Sequence, residues 1–124
     1  MKLGPRGERI AARTLKRAGY RIIERNYRSK PGEIDLIALD GDTLVFVEVK
    51  TRTSTDAADP QDAVNRAKQR QLGRVARYYV QTKSAHHRPC RFDVVTVVLG
   101  EEGKPTVEHF INAFELDSNR RRIG

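Results

Sequence analysis

Two short apolar runs joined by an acidic turn constrain the fold of this chain more than any other feature. The runs are residues 32–39 and 44–50, and the tripeptide between them, Asp40-Gly41-Asp42, is typical of a β-hairpin turn. Each run has the composition of a buried strand, yet each carries charged residues in its middle. Because charged side chains are seldom buried without a partner, this pattern predicts a functional site on the hairpin.

The length of the hairpin loop decides which charged residues face each other. A loop formed by Gly41 and Asp42 places Asp35 opposite Glu48, whereas a loop one residue earlier places Glu33 opposite Glu48. Either register puts the charged residues of both strands on one sheet face, because strand side chains alternate. An odd-length loop or a bulge would separate them. These residues are Glu33, Asp35, Glu48 and Lys50.

Close carboxylates on neighbouring strands predict a metal site. Directly opposed residues have Cβ atoms about 4.5–5.5 Å apart, and two carboxylates at that distance repel unless one is protonated or a cation lies between them. Mg²⁺ prefers carboxylate oxygens and keeps several waters, so Asp35 and Glu48 are predicted to bind Mg²⁺ or Mn²⁺, with the Val49 carbonyl as an extra ligand. Lys50 would orient a water or stabilise charge on a phosphoryl group. The alternative is a cross-strand salt bridge on a solvated face.

This arrangement resembles the PD-(D/E)xK nuclease superfamily, since twelve residues separate Asp35 from Glu48-Val49-Lys50. Further segments in the same order resemble the bacterial YraN-like family UPF0102, which is similar to archaeal Holliday-junction resolvases. One departure from the superfamily pattern is that Pro31 does not directly precede Asp35. The segments that carry the resemblance are Gly7-Glu8 and residues 32–38, 46–52, 63–70 and 91–95.

The resemblance implies a restriction-endonuclease-like α/β core with a mixed central sheet flanked by helices. It also implies a metal-dependent nuclease that hydrolyses phosphodiester bonds of DNA, including structured or branched DNA, with Asp35, Glu48 and Lys50 as catalytic residues. In resolvase-like members an acidic residue of the first helix helps to hold the metal, and Glu8 matches that position. Because branched DNA is two-fold symmetric and the resolvases act as dimers, a homodimer is also expected.

A coarse reading along the chain gives the order α-β-β-β-α-β, with an edge strand at the end. We expect a single domain over residues 1–117 and a basic, disordered tail over 118–124. The predicted elements are helices at 5–18 and 61–80, strands at 20–27, 90–99 and 106–114, the hairpin, and a mobile loop at 53–60. The predicted inner faces are Ile10, Ala11, Thr14, Leu15 and Ala18 in the first helix, and Val64, Ala67, Leu72, Val75, Ala76 and Tyr79 in the second.

Of four further ionisable residues considered for the site, three have both a functional and a structural interpretation. Glu8 lies on a helical row with Ala12 and Leu15, but a carboxylate early in a helix also suits the helix dipole. Lys68 lies on an apolar row, so it either points at the sheet carboxylates or a phosphate, or extends past the edge of the core. Glu33 is expected beside the site as a supporting residue. Asp93 matches the family pattern, although a structural hydrogen-bonding role is equally consistent.

The charge of the chain is typical of a nucleic-acid-binding protein. It has 24 Lys and Arg residues against 16 Asp and Glu, a formal net charge of +8, although an inert basic surface would give the same numbers. Arginines recur at helical spacing in both predicted helices, and like charges four residues apart cost helix stability unless an anion binds them. The predicted nucleic-acid contacts are Arg6, Arg9, Arg13, Arg28, Arg52, Arg66 and Arg70.

The remaining features describe where such a protein would work. The single cysteine, Cys90, excludes an internal disulfide and fits a reducing compartment. No apolar stretch approaches the roughly 20 residues of a membrane span, and the first residues lack a signal peptide. We therefore expect a soluble cytoplasmic protein without a membrane partner.

Two alternatives to a nuclease follow from the same residues. One is a non-catalytic nucleic-acid-binding module with a nuclease-like fold, which would keep the basic faces and lose turnover. The presence of Asp35, Glu48 and Lys50 together argues against it, because a decayed site usually lacks one of them. The other is an adaptor that binds a protein through the hairpin or the tail.

Overall fold

The computed structural model describes residues 3–53, 64–100 and 103–115. The expected α-β-β-β-α-β order is confirmed, and the predicted edge strand follows it. The predicted mobile loop lies mostly in residues 54–63, and the predicted tail lies in 118–124; both are outside the described residues. The elements are α1 (Leu3–Arg17), β1 (Arg21–Ser29), β2 (Gly32–Asp40), β3 (Thr43–Thr53), α2 (Arg66–Thr82), β4 (Cys90–Leu99) and β5 (Pro105–Phe114).

The five strands form one mixed sheet in the order β1-β2-β3-β4-β5. Only β3 and β4 are parallel in the described sheet, and α2 supplies the long crossover that a parallel pair needs. A hydrophobic cluster lies on each face, one containing Leu15 of α1 and the other containing Leu72 of α2. The predicted fold class, a mixed sheet flanked by helices, is therefore confirmed.

The hairpin adopts the first of the two predicted registers. Asp40 pairs with Thr43, so Gly41 and Asp42 form a two-residue loop. Gly41 has a φ of +59°, a left-handed conformation that glycine adopts without steric cost. The register therefore brings Asp35 and Glu48 to equivalent positions on the two strands.

Pairing between β2 and β3 stops just before the charged residues. Within these fully described strands it ends at Leu36 and Val47, although β2 stays paired with β1 as far as Gly32 and β3 stays paired with β4 as far as Thr53. The sheet thus divides at this point, which we call the fork. Asp35 and Glu48 are the first residues beyond the paired segment, one on each side of the fork.

Helix boundaries correct several predicted inner-face residues. The α2 helix begins at Arg66 because the side chain of Asn65 caps it, accepting a hydrogen bond from the Lys68 amide at 2.9 Å. The prediction that Ala67 lies on the inner face is wrong, because this residue lies on the outer side of the first turn and is exposed. Gly73 and Val80 are buried in that helix instead.

The first helix ends one residue earlier than predicted. Because α1 stops at Arg17 and the chain turns at Gly19, where φ is +95°, Ala18 is exposed and its predicted inner position is wrong. Ala12 is buried in its place. In the described ranges, neither α1 nor α2 has an apolar stretch long enough to cross a lipid bilayer.

Candidate active site

The first helix reaches the fork through a close contact at Gly7. A Cβ on Gly7 would lie 2.8 Å from the Cβ of Thr51 in β3, a separation that real Cβ atoms do not tolerate. The absence of a side chain therefore lets α1 approach β3 at this point. This approach places the next residue, Glu8, at the fork, where Asp35 and Asn26 lie near enough to its carboxyl group to shift its pKa.

Asp35 lies at the centre of the fork. Its Oδ2 accepts a hydrogen bond of 2.8 Å from the main-chain amide of Val49, so the carboxylate occupies the place of a strand carbonyl beside β3. The N–H and C=O groups of a paired strand residue face the same neighbour. We therefore expect the Val49 carbonyl to point into the fork on the side of Asp35.

Glu48 is the most buried charged residue of the site, with a side chain that is only 6% exposed. Its Oε2 lies 3.8 Å from Nζ of Lys50 on the same strand and 3.5 Å from Nζ of Lys68 on α2. Burial and the neighbouring Asp35 raise the pKa of Glu48 to about 7, although both lysines act in the opposite direction. Burial and the charge of Asp35 therefore outweigh the two ammonium groups in setting the pKa of Glu48.

The pKa of Glu8 is raised for the same two reasons. Burial and then the charge of Asp35 raise its pKa above the usual range, while a hydrogen bond from Asn26 partly offsets them. The carboxyl groups of Glu8 on α1 and Glu48 on β3 thus both lie near enough to Asp35 of β2 for its charge to raise their pKa values. Neighbouring carboxylates repel each other unless one of them is protonated or a cation lies between them.

The fork suits an ion held by few protein ligands. In the described ranges, no three Asp, Glu, His or Cys side chains converge closely enough to hold an ion by themselves. Mg²⁺ is usually bound by one or two carboxylates and keeps several waters. Asp35, Glu48 and the Val49 carbonyl match that requirement, and Glu8 lies close enough to Asp35 to contact such waters.

The chain belongs to a family defined by sequence. The model of uncharacterised protein family UPF0102 matches residues 7–97. This is a UPF0102 protein. The matched segment includes Glu8, the whole hairpin and α2, so the fork lies within the part of the chain that defines the family.

Relatives in several bacteria resemble the UPF0102 protein over nearly its whole length. A UPF0102 protein of Geobacter sulfurreducens is 47% identical over 114 residues, covering 92% of this chain and 89% of the relative. One from Syntrophus aciditrophicus is 48% identical and covers 97% and 94% of the two chains. One from Symbiobacterium thermophilum is 50% identical and covers 91% and 96%.

Among solved structures, the UPF0102 protein resembles Pyrococcus furiosus SfsA in complex with Ca²⁺ only remotely. The two chains are 16% identical, with 88% of this chain and 62% of the other covered and a TM-score of 0.39.

The structure corrects the predicted position of Glu33. It was expected on the same face as Glu48 and opposite Lys50, but β2–β3 pairing ends before that pair. Side-chain alternation in β2 changes at Asp35, since Ile34 packs in the cluster on the α2 face whereas Leu36 packs in the cluster on the α1 face. Glu33 instead contacts Arg28 at 3.1 Å, and it lies near enough to Glu8 to help raise its pKa.

Two residues of the fork were not identified from the sequence. Gly7 was noted only within a family segment, and its contact with Thr51 depends on the position of a distant strand. Asn26 has a φ of +52° and lies between Arg25 and Tyr27, which pair with Leu36 and Ile34, and its side chain acts to lower the pKa of Glu8. An asparagine inside a strand is a weak signal for such a left-handed position.

The predicted nucleic-acid contacts fall into separate groups. Arg6, Arg9 and Arg13 line a shallow cavity of about 270 Å³ on α1, together with Ile10 and Pro105. Arg66 and Arg70 are exposed on α2, on the opposite face of the sheet. Arg52 lies two residues after Lys50 in β3 and is half-buried. Arg28 forms a salt bridge with Glu33. The two helices therefore carry distinct basic surfaces.

Asp93 has a structural hydrogen-bonding role, which was one of the two interpretations given to it from the sequence. It is fully buried and accepts hydrogen bonds from Arg91 at 3.0 Å, from the Asn112 amide at 2.9 Å and from His109, whose Nε2 lies 2.7 Å away. Burial alone would raise the pKa of Asp93, but these partners outweigh it and hold the pKa below the usual range. Its contacts join β4 to β5, and none of them involves Asp35 or Glu48.

Proposed function

We propose that this UPF0102 protein is a metal-dependent nuclease that hydrolyses phosphodiester bonds of DNA. The observation that carries this proposal is the placement of Asp35 and Glu48 on the two sides of the fork, with Lys50 and Lys68 beside Glu48 and with Glu8 near enough to Asp35 for their charges to interact. Two carboxyl groups with raised pKa values, those of Glu8 and Glu48, together with lysines beside Glu48, are unusual for a purely structural site. This arrangement suits chemistry at an anionic, metal-bound centre.

The residues at the fork fit a hard divalent cation. Asp35, Glu48 and the Val49 carbonyl would hold Mg²⁺ or Mn²⁺, and Glu8 would contact it directly or through water. Such an ion would lower the pKa of a bound water and stabilise negative charge on the phosphate. The raised pKa of Glu48, about 7, supports this assignment because a cation would replace the proton that the carboxyl group otherwise retains.

The ammonium group of Lys50 acts on the attacking water and on the phosphoryl group. Its side chain is 32% exposed, so the ammonium group has access to a bound phosphate while remaining 3.8 Å from Glu48. It orients the attacking water toward phosphorus and offsets the negative charge that develops there as the bond to the leaving oxygen breaks. Lys68 approaches the same Glu48 oxygen from α2 and holds that carboxylate in place.

Basic residues of α1 would hold the DNA strand that flanks the scissile phosphate. The α1 arginines Arg6, Arg9 and Arg13 surround one cavity on the helix that also carries Glu8, and their guanidinium groups suit phosphate oxygens. Binding through phosphates is salt-sensitive and carries little base specificity. Structured or branched DNA, bound by a homodimer, is the substrate form that we propose for these surfaces.

A cleavage assay tests the proposal. Labelled single-stranded, duplex, flap and four-way-junction DNA would be incubated with Mg²⁺ or Mn²⁺, and with EDTA as a control. We expect metal-dependent cleavage by the wild type, loss of cleavage with Lys50→Ala, and retained cleavage with Lys83→Ala, which removes a lysine at the far end of α2. Absence of cleavage on every substrate, with salt-sensitive binding retained, would instead favour a non-catalytic binding module.

A further inference from the structure

The charge of α2 is unfavourable for an isolated helix. Over its 17 residues it carries five cationic side chains and no Asp or Glu, and its first turn has no acidic residue. Cations near a helix N-terminus oppose the helix dipole, and like charges four residues apart repel. An external anion along this helix would remove both costs. The cationic residues are Arg66, Lys68, Arg70, Arg74 and Arg77.

All but one of these cations lie on a single side of the helix. At 100° per residue the four arginines fall on the side facing away from the buried Leu72 and Val75, whereas Lys68 points toward Glu48. Tyr78 lies on the arginine side and is 46% exposed. None of these arginines forms an ion pair with another residue in the described ranges. We call Arg66, Arg70, Arg74, Arg77 and Tyr78 the α2 basic face.

We propose that the α2 basic face binds an unpaired strand of nucleic acid, with the arginines on successive phosphates and Tyr78 stacked on a base. Arg66, Arg70 and Arg74 recur every four residues, which is about 6 Å along the helix axis and comparable to the spacing of phosphates along one strand. The α2 basic face begins beside the fork, because Lys68 of the first turn contacts Glu48. The assignment of this strand as a substrate rests on the proposed nuclease function.

The tyrosine selects an unpaired strand over a duplex. Bases in a duplex are stacked on each other inside the helix, so their faces are not accessible to a protein ring. A base of a single strand can stack on an aromatic side chain, and every base presents such a face. The residue after Tyr78 anchors this part of the helix, since Tyr79 is buried and packs edge-on against Tyr27 of β1 at a centroid distance of 5.0 Å.

The packing of α2 disfavours other anionic partners. A basic amphipathic helix binds a membrane by inserting its apolar side, but that side of α2 is buried against the sheet around Leu72, Val75 and Val80. An acidic peptide would satisfy the arginines and would gain nothing from an exposed aromatic ring. The combination of periodic arginines and Tyr78 therefore favours a nucleic-acid strand.

Binding in EDTA tests this inference separately from cleavage. Fluorescence anisotropy would compare a labelled 12-nucleotide single strand with the duplex of the same sequence. We expect Tyr78→Ala to weaken binding of the single strand about 5- to 100-fold, as loss of one stacked base predicts, and to leave duplex binding within about twofold. Tyr78→Phe should retain the affinity, and Ile111→Ala, which removes another exposed apolar side chain, should leave it unchanged.

Two further measurements identify the mode of binding. Arg74→Ala should reduce the salt dependence of single-strand binding by about one phosphate contact, a slope change of about 0.7. A strand carrying 2-aminopurine should show fluorescence quenching at one position with the wild type and Tyr78→Phe, and none there with Tyr78→Ala. Thermal unfolding would verify that each variant is folded.

The outcomes separate the two proposals. Unchanged single-strand affinity in Tyr78→Ala, equal losses on single strand and duplex, or equally tight binding of polyglutamate would overturn the inference. If the wild type then still cleaves DNA with Mg²⁺, only the role of the α2 basic face is wrong. If no cleavage occurs but Tyr78-dependent binding of single strands is observed, the nuclease proposal fails and the binding site remains.

Discussion

Gly7 of α1 and Thr51 of β3 lie closer together than any side chain on Gly7 would permit, since a Cβ there would stand 2.8 Å from the Thr51 Cβ. This contact sets the position of α1 over the fork. Because Glu8 follows Gly7 directly, the same contact determines how close Glu8 lies to Asp35. The geometry of the site therefore depends on a residue that has no functional group.

Replacing Gly7 with alanine should move α1 and weaken the fold. We expect Gly7→Ala to lower the free energy of unfolding by about 1–3 kcal/mol, as overpacking does, and to reduce the affinity for Mg²⁺ as Glu8 moves away. Urea denaturation and calorimetric titration measure the two effects. Gly4→Ala is the matched control, since a Cβ at Gly4 meets no atom within 4 Å. Equal stability of the two variants would contradict this role of Gly7.

The carboxyl group of Glu48 should make the metal-free protein less stable at higher pH. Its pKa is raised to about 7 in the folded state, so between the ordinary pKa of a glutamate and pH 7 the folded protein binds more protons than the unfolded chain. The stability contributed by this proton is present below about pH 4.5 and is lost as pH rises through 7. The difference corresponds to roughly 3 kcal/mol.

Glu48→Gln removes this titration while keeping the shape of the side chain. In EDTA at pH 8 we expect the variant to have a higher free energy of unfolding than the wild type, by up to about 3 kcal/mol, and at pH 5 the two should be similar. Urea denaturation at both pH values measures this difference. Glu33→Gln, on a half-exposed side chain, should show no such dependence. If the difference in free energy of unfolding between the wild type and Glu48→Gln were the same at pH 5 and at pH 8, the raised pKa would not belong to Glu48.

Two substitutions at Asp35 should separate its charge from its hydrogen bond. Asp35→Asn keeps an oxygen that can accept the hydrogen bond from the Val49 amide and removes one of three adjacent negative charges, so it should not destabilise the protein. Asp35→Ala leaves that amide without its acceptor and should cost about 1–3 kcal/mol. Calorimetry should show loss of Mg²⁺ binding in both variants; Mg²⁺ affinity equal to that of the wild type in Asp35→Asn would contradict a metal site at the fork.

Asp93 should affect stability and leave the fork unchanged. Removing its charge by Asp93→Asn should cost about 3–5 kcal/mol, because Arg91 and His109 lose a buried anionic partner. Its contribution is present above the usual pKa of an aspartate and is lost as pH falls through the lowered folded-state value. Asp42→Asn, on a side chain that is 99% exposed, is the control. A loss of Mg²⁺ binding at temperatures where Asp93→Asn is folded would show that Asp93 serves the fork.

Local sequence patterns were enough to predict the hairpin and its charged residues. The turn at Gly41 and the period of apolar residues limited the register to two alternatives, and the one with Asp40 paired to Thr43 is observed. The bounds of β4 were also predicted, because an apolar run buried on both faces needs no information beyond its own residues. Ala18 and Ala67 were misplaced because helix ends depend on capping, and periodicity alone does not fix them.

The sequence by itself determined which residues carry the charges, and it placed Asp35 and Glu48 near each other through one short turn. Only the tertiary structure decided that β2 and β3 part at those residues, that α1 reaches them through Gly7, and that Lys68 approaches Glu48 from α2. The physical reason is that the register of a hairpin is fixed by its turn and by hydrogen bonds between residues that are close in sequence. The packing of a helix on a sheet depends on contacts across the whole core, which no local period describes.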